Sequence, residues 1–157
     1  MKTFIDLCFE FCCLLMYSVA SLFRTDYRTA NVVLFNIVGT VLTILGLINI
    51  ISRLFSVPKG FNKTISVLMV VIVAGIVVLF LVALCRMLFS PEKIRKDLVP
   101  EGHYDENDPV DRSFMGTVDI LMWIARIMHS DYNRVNIVVY IILMPLTILA
   151  GILVAWI

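Results

Sequence analysis

Long apolar stretches separated by short polar segments dominate this chain. Three of these stretches, at 31–52, 64–85 and 136–157, carry no charge in their interior, and the helix of the second is expected to extend over 64–88. Crossing about 30 Å of hydrocarbon takes roughly 20 apolar helical residues, so each stretch is long enough to span a membrane. Lipid offers the backbone no hydrogen-bonding partner, and an α-helix satisfies its own backbone groups. The pattern therefore predicts three transmembrane helices.

Two further stretches are apolar on one face and polar along one edge. Residues 4–23 carry Asp6 and Glu10 on this edge, and residues 114–129 carry Asp119, Arg126 and His129. Helices of this kind lie in the membrane interface with the polar edge in water. We expect both to be interfacial. The alternative for 4–23 is a fourth span whose acidic side chains face the interior of a bundle.

Two of the apolar stretches begin with the same polar pattern. Asp26, Tyr27 and Asn31 recur 105 residues later, and each opening follows one of the amphipathic helices. The recurring residues of the second opening are Asp131, Tyr132 and Asn136. Either a duplicated unit of helix plus span, or convergent helix-start chemistry with a capping Asp and an interfacial Tyr, accounts for the pattern. Both interpretations place the two openings on the same face of the membrane.

The distribution of Lys and Arg predicts the orientation. If both amphipathic helices lie on the face that holds the N-terminus, ten of the 13 basic residues lie there. They are Lys2, Arg24, Arg28, Arg86, Lys93, Arg95, Lys96, Arg112, Arg126 and Arg134, against Arg53, Lys59 and Lys63 opposite. Because basic residues concentrate in cytoplasmic loops, the N-terminus is expected in the cytoplasm and the C-terminus outside. Asp6 and Glu10 interrupt the first apolar run, so we expect a retained helix rather than a signal peptide.

Composition agrees with a membrane protein and offers little chemistry. Hydrophobic residues form 61% of the chain, mean hydropathy is +0.97, and the net charge of +1 gives no reason to expect nucleic-acid binding. The sequence lacks G-x-S-x-G, H-E-x-x-H and a glycine-rich phosphate loop. We therefore predict no catalytic residues, no metal site and no cofactor. The four cysteines are interpreted as small apolar side chains.

Residues 90–113 form the only extended polar segment, and we interpret it as a cytoplasmic linker. Its acidic part at 101–111 is the expected docking surface for a basic partner. This part lacks the glycine and terminal glutamate of an EF-hand loop, which argues against a specific calcium site. With the helices above, 1–157 is predicted to form one membrane domain.

Small residues on two spans predict close helix packing. The expected packing interface is Gly39, Thr43, Gly46, Thr147, Gly151 and Ala155. The polar side chains of Asn36, Thr40 and Thr43 form a stripe that could line a pore. Pro145 predicts a simple kink.

The predicted fold is thus an all-α integral membrane protein with three transmembrane helices, two interfacial helices and a tandem helix-plus-span arrangement. By elimination we expect a non-enzymatic subunit of a complex in a bacterial-type plasma membrane. Its partners would be the lipid bilayer and a second copy of itself or another membrane protein. The alternative is an oligomeric pore that depolarises the membrane.

Overall fold

The computed structural model describes residues 3–55, 59–100 and 102–157, with Lys59 as backbone only. Lys2, Glu101 and the Lys59 side chain, which entered the predictions on orientation and on the acidic segment, lie outside what is described. The described chain is 85% helix and contains no strand. Its six helices are α1 (Phe4–Phe23), α2 (Tyr27–Leu54), α3 (Lys59–Phe89), α4 (Pro91–Asp97), α5 (Pro109–Ile127) and α6 (Tyr132–Val154).

The predicted class, an all-α multi-pass membrane protein, is confirmed. Four helices in the described residues are long and apolar enough to cross a membrane: Phe4–Phe23, Tyr27–Leu54, Gly60–Phe89 and Tyr132–Val154. The most apolar windows of these helices have mean hydropathies of 1.7, 2.2, 3.4 and 2.8 in the same order. By length and composition α1 therefore joins the three predicted spans as a fourth candidate.

The starts of α1 and α5 are set by short polar side chains. Thr3 and Asp6 form a capping box, in which each side chain accepts a hydrogen bond from the backbone N–H of the other residue. Asp108 caps α5 by accepting from the N–H of Val110, and Pro109 occupies the first turn. This cap starts α5 five residues before the predicted position 114, and α4 occupies part of the predicted 90–113 linker.

Both α2 and α6 change from α-helix to π-helix in their first half. The π-helical segments are Val32–Gly39 and Ile137–Leu143. The π-helix is rare, occurs mostly as single turns inside α-helices and is frequent at functional sites. In this protein both π-helical segments face the same interior space.

The long helices α2, α3 and α6 form a bundle. Leu42 of α2, Met69 of α3 and Ile148 of α6 meet in its core, and Gly46 lies directly against Gly151. At the far end Asn49 donates to the carbonyl of Gly151 at 3.2 Å, and Ser66 donates to that of Ile152 at 3.2 Å. Helices α2 and α6 are therefore parallel to each other, and α3 runs antiparallel to both.

Helices α1 and α5 pack at the other end of this bundle. The successive neighbours of α1 are Asn133 and Tyr132 at the start of α6, Tyr27 at the start of α2, and Ala83 near the end of α3. Helix α5 packs in turn on the start of α2, where Asn36 donates to Thr117 at 2.7 Å. Helix α1 thus contacts the beginning of α6, the helix that follows α5. Helix α5 contacts the beginning of α2, the helix that follows α1.

Backbone features of residues 3–52 recur 105 positions later, in residues 108–157. We call these the first and second units. The first α-helical turn of α2 spans Tyr27–Asn31, and that of α6 spans Tyr132–Asn136. The left-handed residues Arg24 (φ 52°) and His129 (φ 49°) end α1 and α5 and have the same offset.

Candidate binding cavity

A cavity of about 530 Å³ lies between the two units, bounded by the bundle and by α1 and α5. Its lining is mostly aliphatic and aromatic, with a few amides, hydroxyls and thiols. Cavities of 300–1,000 Å³ with such a lining are typical of small-molecule sites. Among the described residues that line it, none is Asp, Glu, Lys, Arg or His.

Each unit supplies the same positions to the cavity wall. The pairs of lining residues separated by 105 positions include Phe9 and Phe114, Tyr27 and Tyr132, Asn31 and Asn136, and Phe35 and Tyr140. Both π-helical segments contribute, the first through Phe35 and Asn36 and the second through Tyr140 and Ile141. The cavity is therefore built by both units together.

Aromatic contacts cross from one unit to the other around the cavity. Phe9 packs edge-on against Tyr132, with ring centroids 6.0 Å apart at 81°. Tyr27 packs in the same way against Phe114, at 6.3 Å and 77°. Such T-shaped pairs are favoured by the ring quadrupoles and contribute about 0.5–1.5 kcal/mol each. Phe35 and Tyr140, themselves 105 positions apart, contact each other at 4.9 Å.

Polar contacts outside the cavity tie α1 and α5 to the opposite unit. Arg28 donates to Asp111 at 2.7 Å and to the carbonyl of Gly102 at 2.9 Å. Asn133, at the position equivalent to Arg28, donates to Asp6 at 3.3 Å. The backbone N–H of Asp105 and the Arg28 guanidinium hold the pKa of Asp111 below its ordinary value of 3.8, because both stabilise the carboxylate.

The predicted small-residue interface packs within this chain. Gly39, Gly46, Gly151 and Ala155 are buried. A Cβ added at Gly151 would lie 2.3 Å from the Cα of Gly46, and one at Gly46 would lie 2.9 Å from the carbonyl oxygen of Thr147. Two helix backbones approach this closely only where side chains are absent. The small-residue face is thus occupied by contacts between α2 and α6.

The three residues of the predicted polar stripe make different contacts. Thr40 and Thr43 donate to carbonyls of their own helix, those of Phe35 at 3.4 Å and Gly39 at 2.8 Å. Asn36 alone lines the cavity and bonds Ser113 and Thr117 of α5. Thr147 donates to the carbonyl of Leu143 in the same local manner.

The predicted charged edge is divided by the fold. Glu10, Asp119, Arg126 and His129 are exposed, whereas Asp6 is half-buried and bonded to the second unit. The residues named at the two openings lie closer to the cavity. Tyr27, Asn31, Tyr132 and Asn136 all line it.

The two opening aspartates act differently. Asp26 accepts from the N–H of Thr29 at 2.7 Å and caps α2 as predicted. Asp131 makes no side-chain cap and instead pairs with Arg134 at 3.5 Å. In the described part of the chain no group of three His, Cys, Asp or Glu residues could hold a metal ion.

Several lining residues were not singled out from the sequence. Phe9, Phe35, Phe114 and Tyr140 surround the cavity, yet each looks like an ordinary apolar residue in its helix. The signal that could have identified them is recurrence, because they form two pairs of aromatic residues 105 positions apart.

A comparison of the chain with protein-family models, curated proteins and solved structures finds no match.

Proposed function

We propose that this chain is a non-catalytic membrane protein that binds a lipid-like molecule between its two units. One observation carries the proposal: an apolar cavity of about 530 Å³ to which both π-helical segments contribute. An apolar molecule gains free energy by filling such a space, at roughly 25 cal/mol per Å² of apolar surface removed from water.

The wall of the cavity supports access from the bilayer rather than from water. Val77 of α3 and Ile141 and Leu149 of α6 line the cavity and are also about half exposed on the outer surface. They mark a lateral opening between α3 and α6, two helices whose outer faces are apolar. A molecule dissolved in the membrane would pass through this opening without crossing a polar layer.

The proposed membrane placement has three spans, α2, α3 and α6, with α1 and α5 in the interface of a bacterial-type plasma membrane. It is supported by the contacts of α1, which join the start of α6, the start of α2 and the end of α3. The outer faces of α1 and α5 carry exposed apolar side chains such as Leu14 and Trp123, suited to interfacial depth. The proposed N-terminus is cytoplasmic and the C-terminus lies outside.

Tags at the two termini test this placement. In right-side-out cells, an external protease should remove a C-terminal tag and leave an N-terminal tag intact. Equal protection of both tags, or equal cleavage, would mean an even number of crossings and would contradict the interfacial position of α1.

We further propose that the two units descend from one duplicated helix-plus-span unit. The support is that equivalent residues exchange partners: Phe9 with Tyr132 and Phe114 with Tyr27, as well as Asp6 with Asn133 and Asp111 with Arg28. Convergent helix-start chemistry accounts for the openings alone, whereas these contacts also involve the first two turns of α1 and α5, which lie outside the openings.

Native mass spectrometry of protein extracted in mild detergent tests the binding function. We expect one lipid-sized adduct per chain, and Leu149→Trp should lower its occupancy several-fold because the indole would fill the opening. Leu153→Trp is the matched control, since Leu153 is 62% exposed one turn further along α6 and does not line the cavity. A wild-type protein free of adduct, or equal occupancy in the two variants, would overturn the proposal.

A second candidate is the role of an assembly subunit that docks a basic cytoplasmic partner. The observation that favours it is the exposure of Asp105, Glu106 and Asp108 in the turn before α5. Asp111 is not part of this surface, because it is buried against Arg28. Glu106→Gln should weaken recovery of a co-purifying partner at low salt, and unchanged recovery would count against this candidate.

A further inference from the structure

The described lining of the cavity has polar side chains but no charged one, and this limits what the cavity can hold. Its polar side chains include Asn31, Asn136, Tyr27 and Tyr132, which cluster at the end next to α1 and α5. The opposite end, between Val73 and the bundle core, is entirely aliphatic. The lining is therefore amphipathic along its length.

A charged headgroup would lack compensation in this space. The nearest cation in sequence to the polar cluster is Arg28, and its guanidinium is held by Asp111 at 2.7 Å and by the carbonyl of Gly102 at 2.9 Å. Burying an ion without a paired counter-ion costs far more than burying a hydroxyl or carbonyl that finds a hydrogen bond. A phosphate bound here would have to compete with Asp111 for the guanidinium of Arg28.

An uncharged head, by contrast, finds suitable partners. Asn31 donates to the carbonyl of Tyr27 at 2.9 Å, and Asn136 donates to the hydroxyl of Tyr132 at 3.2 Å. An asparagine amide has two donor hydrogens and an acceptor oxygen, so each retains capacity for a further hydrogen bond. The two amides stand at equivalent positions of α2 and α6 and both border the cavity.

We infer that the site selects an uncharged lipid, one with a hydroxyl or carbonyl head and an apolar tail, over an anionic phospholipid. The head lies beside Asn31 and Asn136, and the tail extends toward Val73 and Ile148. This inference rests on the proposed binding function and adds the chemical class of the ligand.

The experiment compares two lipids that differ only by a phosphate. A diacylglycerol with a diazirine in one acyl chain is photo-crosslinked to the full-length protein in detergent. Unlabelled diacylglycerol and phosphatidic acid of the same acyl composition serve as competitors. We expect saturable labelling of α2, α3 or α6 residues that line the cavity, and at least tenfold weaker competition by phosphatidic acid.

A pair of adjacent variants ties the labelling to the cavity. Val77→Trp should reduce labelling at least fivefold, because Val77 lies at the opening. Val78→Trp should leave it unchanged, since Val78 is 59% exposed on α3 and does not line the cavity. Both positions are exposed enough to accept the indole without disturbing the bundle core.

The outcomes separate the two claims. Saturable labelling that both lipids compete equally would overturn the selectivity for uncharged lipids and leave the binding function standing. Labelling that is not saturable, or that Val77→Trp and Val78→Trp affect alike, would overturn the binding function as well.

Discussion

The two units form equivalent contacts with different chemistry. In the second unit Asp111 receives the guanidinium of Arg28, whereas in the first unit the equivalent Asp6 receives the neutral amide of Asn133. Both carboxylates also accept a backbone N–H from the polar segment that precedes their own helix, Asp6 from Thr3 and Asp111 from Asp105. The positions of the two contacts are thus equivalent, but only the contact between Arg28 and Asp111 is an ion pair.

The same comparison applies where the units touch directly. Gly46 and Gly151 are both glycine at equivalent positions, but the equivalent of Gly39 is Met144, and the two contact each other. A Cβ added at Gly39 would lie 2.6 Å from the sulfur of Met144. A large side chain on one unit therefore fills the space left by a small one on the other. Equivalent positions of the two units can therefore pack against each other without being identical, provided that the volumes of their side chains are complementary.

The largest expected effect is at Gly151. Gly151→Ala should destabilise the protein by about 3 kcal/mol or more, because its Cβ would lie 2.3 Å from backbone atoms of Gly46, which cannot move aside as a side chain would. Thermal unfolding and gel filtration in detergent measure the effect. If the expected interface acted only between copies, the variant would keep its melting temperature and change only its oligomeric state.

Gly75→Ala is the control for this prediction. An added Cβ at Gly75 meets nothing within 4 Å, so the substitution should leave stability equal or raise it by up to about 1 kcal/mol through helix propensity. A similar loss of stability in both variants would indicate a general intolerance of the long helices rather than the contact between the units.

The next largest effect on stability is expected at the contact between Arg28 and Asp111, compared with the equivalent contact between Asn133 and Asp6. Arg28→Ala should cost about 1.5–3 kcal/mol, the usual contribution of a hydrogen bond to a charged group, because it leaves the mostly buried Asp111 without its guanidinium. Asn133→Ala removes a neutral donor that reaches the more accessible Asp6 carboxylate at 3.3 Å, and should cost less free energy of unfolding than Arg28→Ala. Equal losses of free energy of unfolding in the two variants would contradict the distinction.

Arg28→Asn refines this comparison, since Asn133 is the equivalent residue in the second unit. The variant should fall between wild type and Arg28→Ala, provided that the shorter amide still reaches Asp111. A stability no higher than that of Arg28→Ala would show that reach, and not charge alone, separates the two contacts.

Lowering the pH should remove the contribution of the Asp111 carboxylate to stability. The pKa of Asp111 in the folded protein lies below the ordinary value of 3.8, so its contribution to stability is complete above that value and is lost as the pH falls through the folded pKa. The gap in melting temperature between wild type and Asp111→Asn should therefore be constant near pH 7 and shrink below pH 3.8. A gap that does not shrink at all as the pH falls below 3.8 would mean that the carboxylate charge is not the cause.

Some of these features can be predicted from the sequence because they depend on residues that are close together along the chain. The boundaries expected for α1, 4–23, coincide with the structure, since a capping box and a continuous apolar face mark them. The start of α5 was missed because Pro109 lies among prolines and acids that suggest a linker, although a proline after a capping Asp also begins a helix.

Features that depend on contacts between distant residues could not be predicted in this way. Asp111 belongs to an acidic run in the sequence, and its partner Arg28 lies 83 positions away. Gly46 and Gly151 pack against each other within this chain, and a single sequence cannot show whether the opposing helix belongs to the same chain. The cavity is lined by both π-helical segments and by α1 and α5, each of which packs against the opposite unit, and none of these features has a sequence pattern of its own.

The smallest expected effect concerns Pro145 and the cause of the π-helical segments. Proline is the usual explanation for an irregular helix, and Pro145 follows the π-helical segment of α6 by two residues. Yet the equivalent residue in α2 is Thr40, and α2 has a π-helical segment at the same place. Proline is therefore not needed for this geometry, and the shared packing around the cavity is the better explanation.

Pro145→Ala should accordingly change the free energy of unfolding by less than about 1 kcal/mol and leave lipid occupancy as in wild type, because the new N–H lies in a helix whose shape is already set by its neighbours. Thermal unfolding and native mass spectrometry measure both quantities, with Thr40→Ala as the matched change in α2. Loss of the adduct in Pro145→Ala but not in Thr40→Ala would show that the two units keep the same backbone for different reasons.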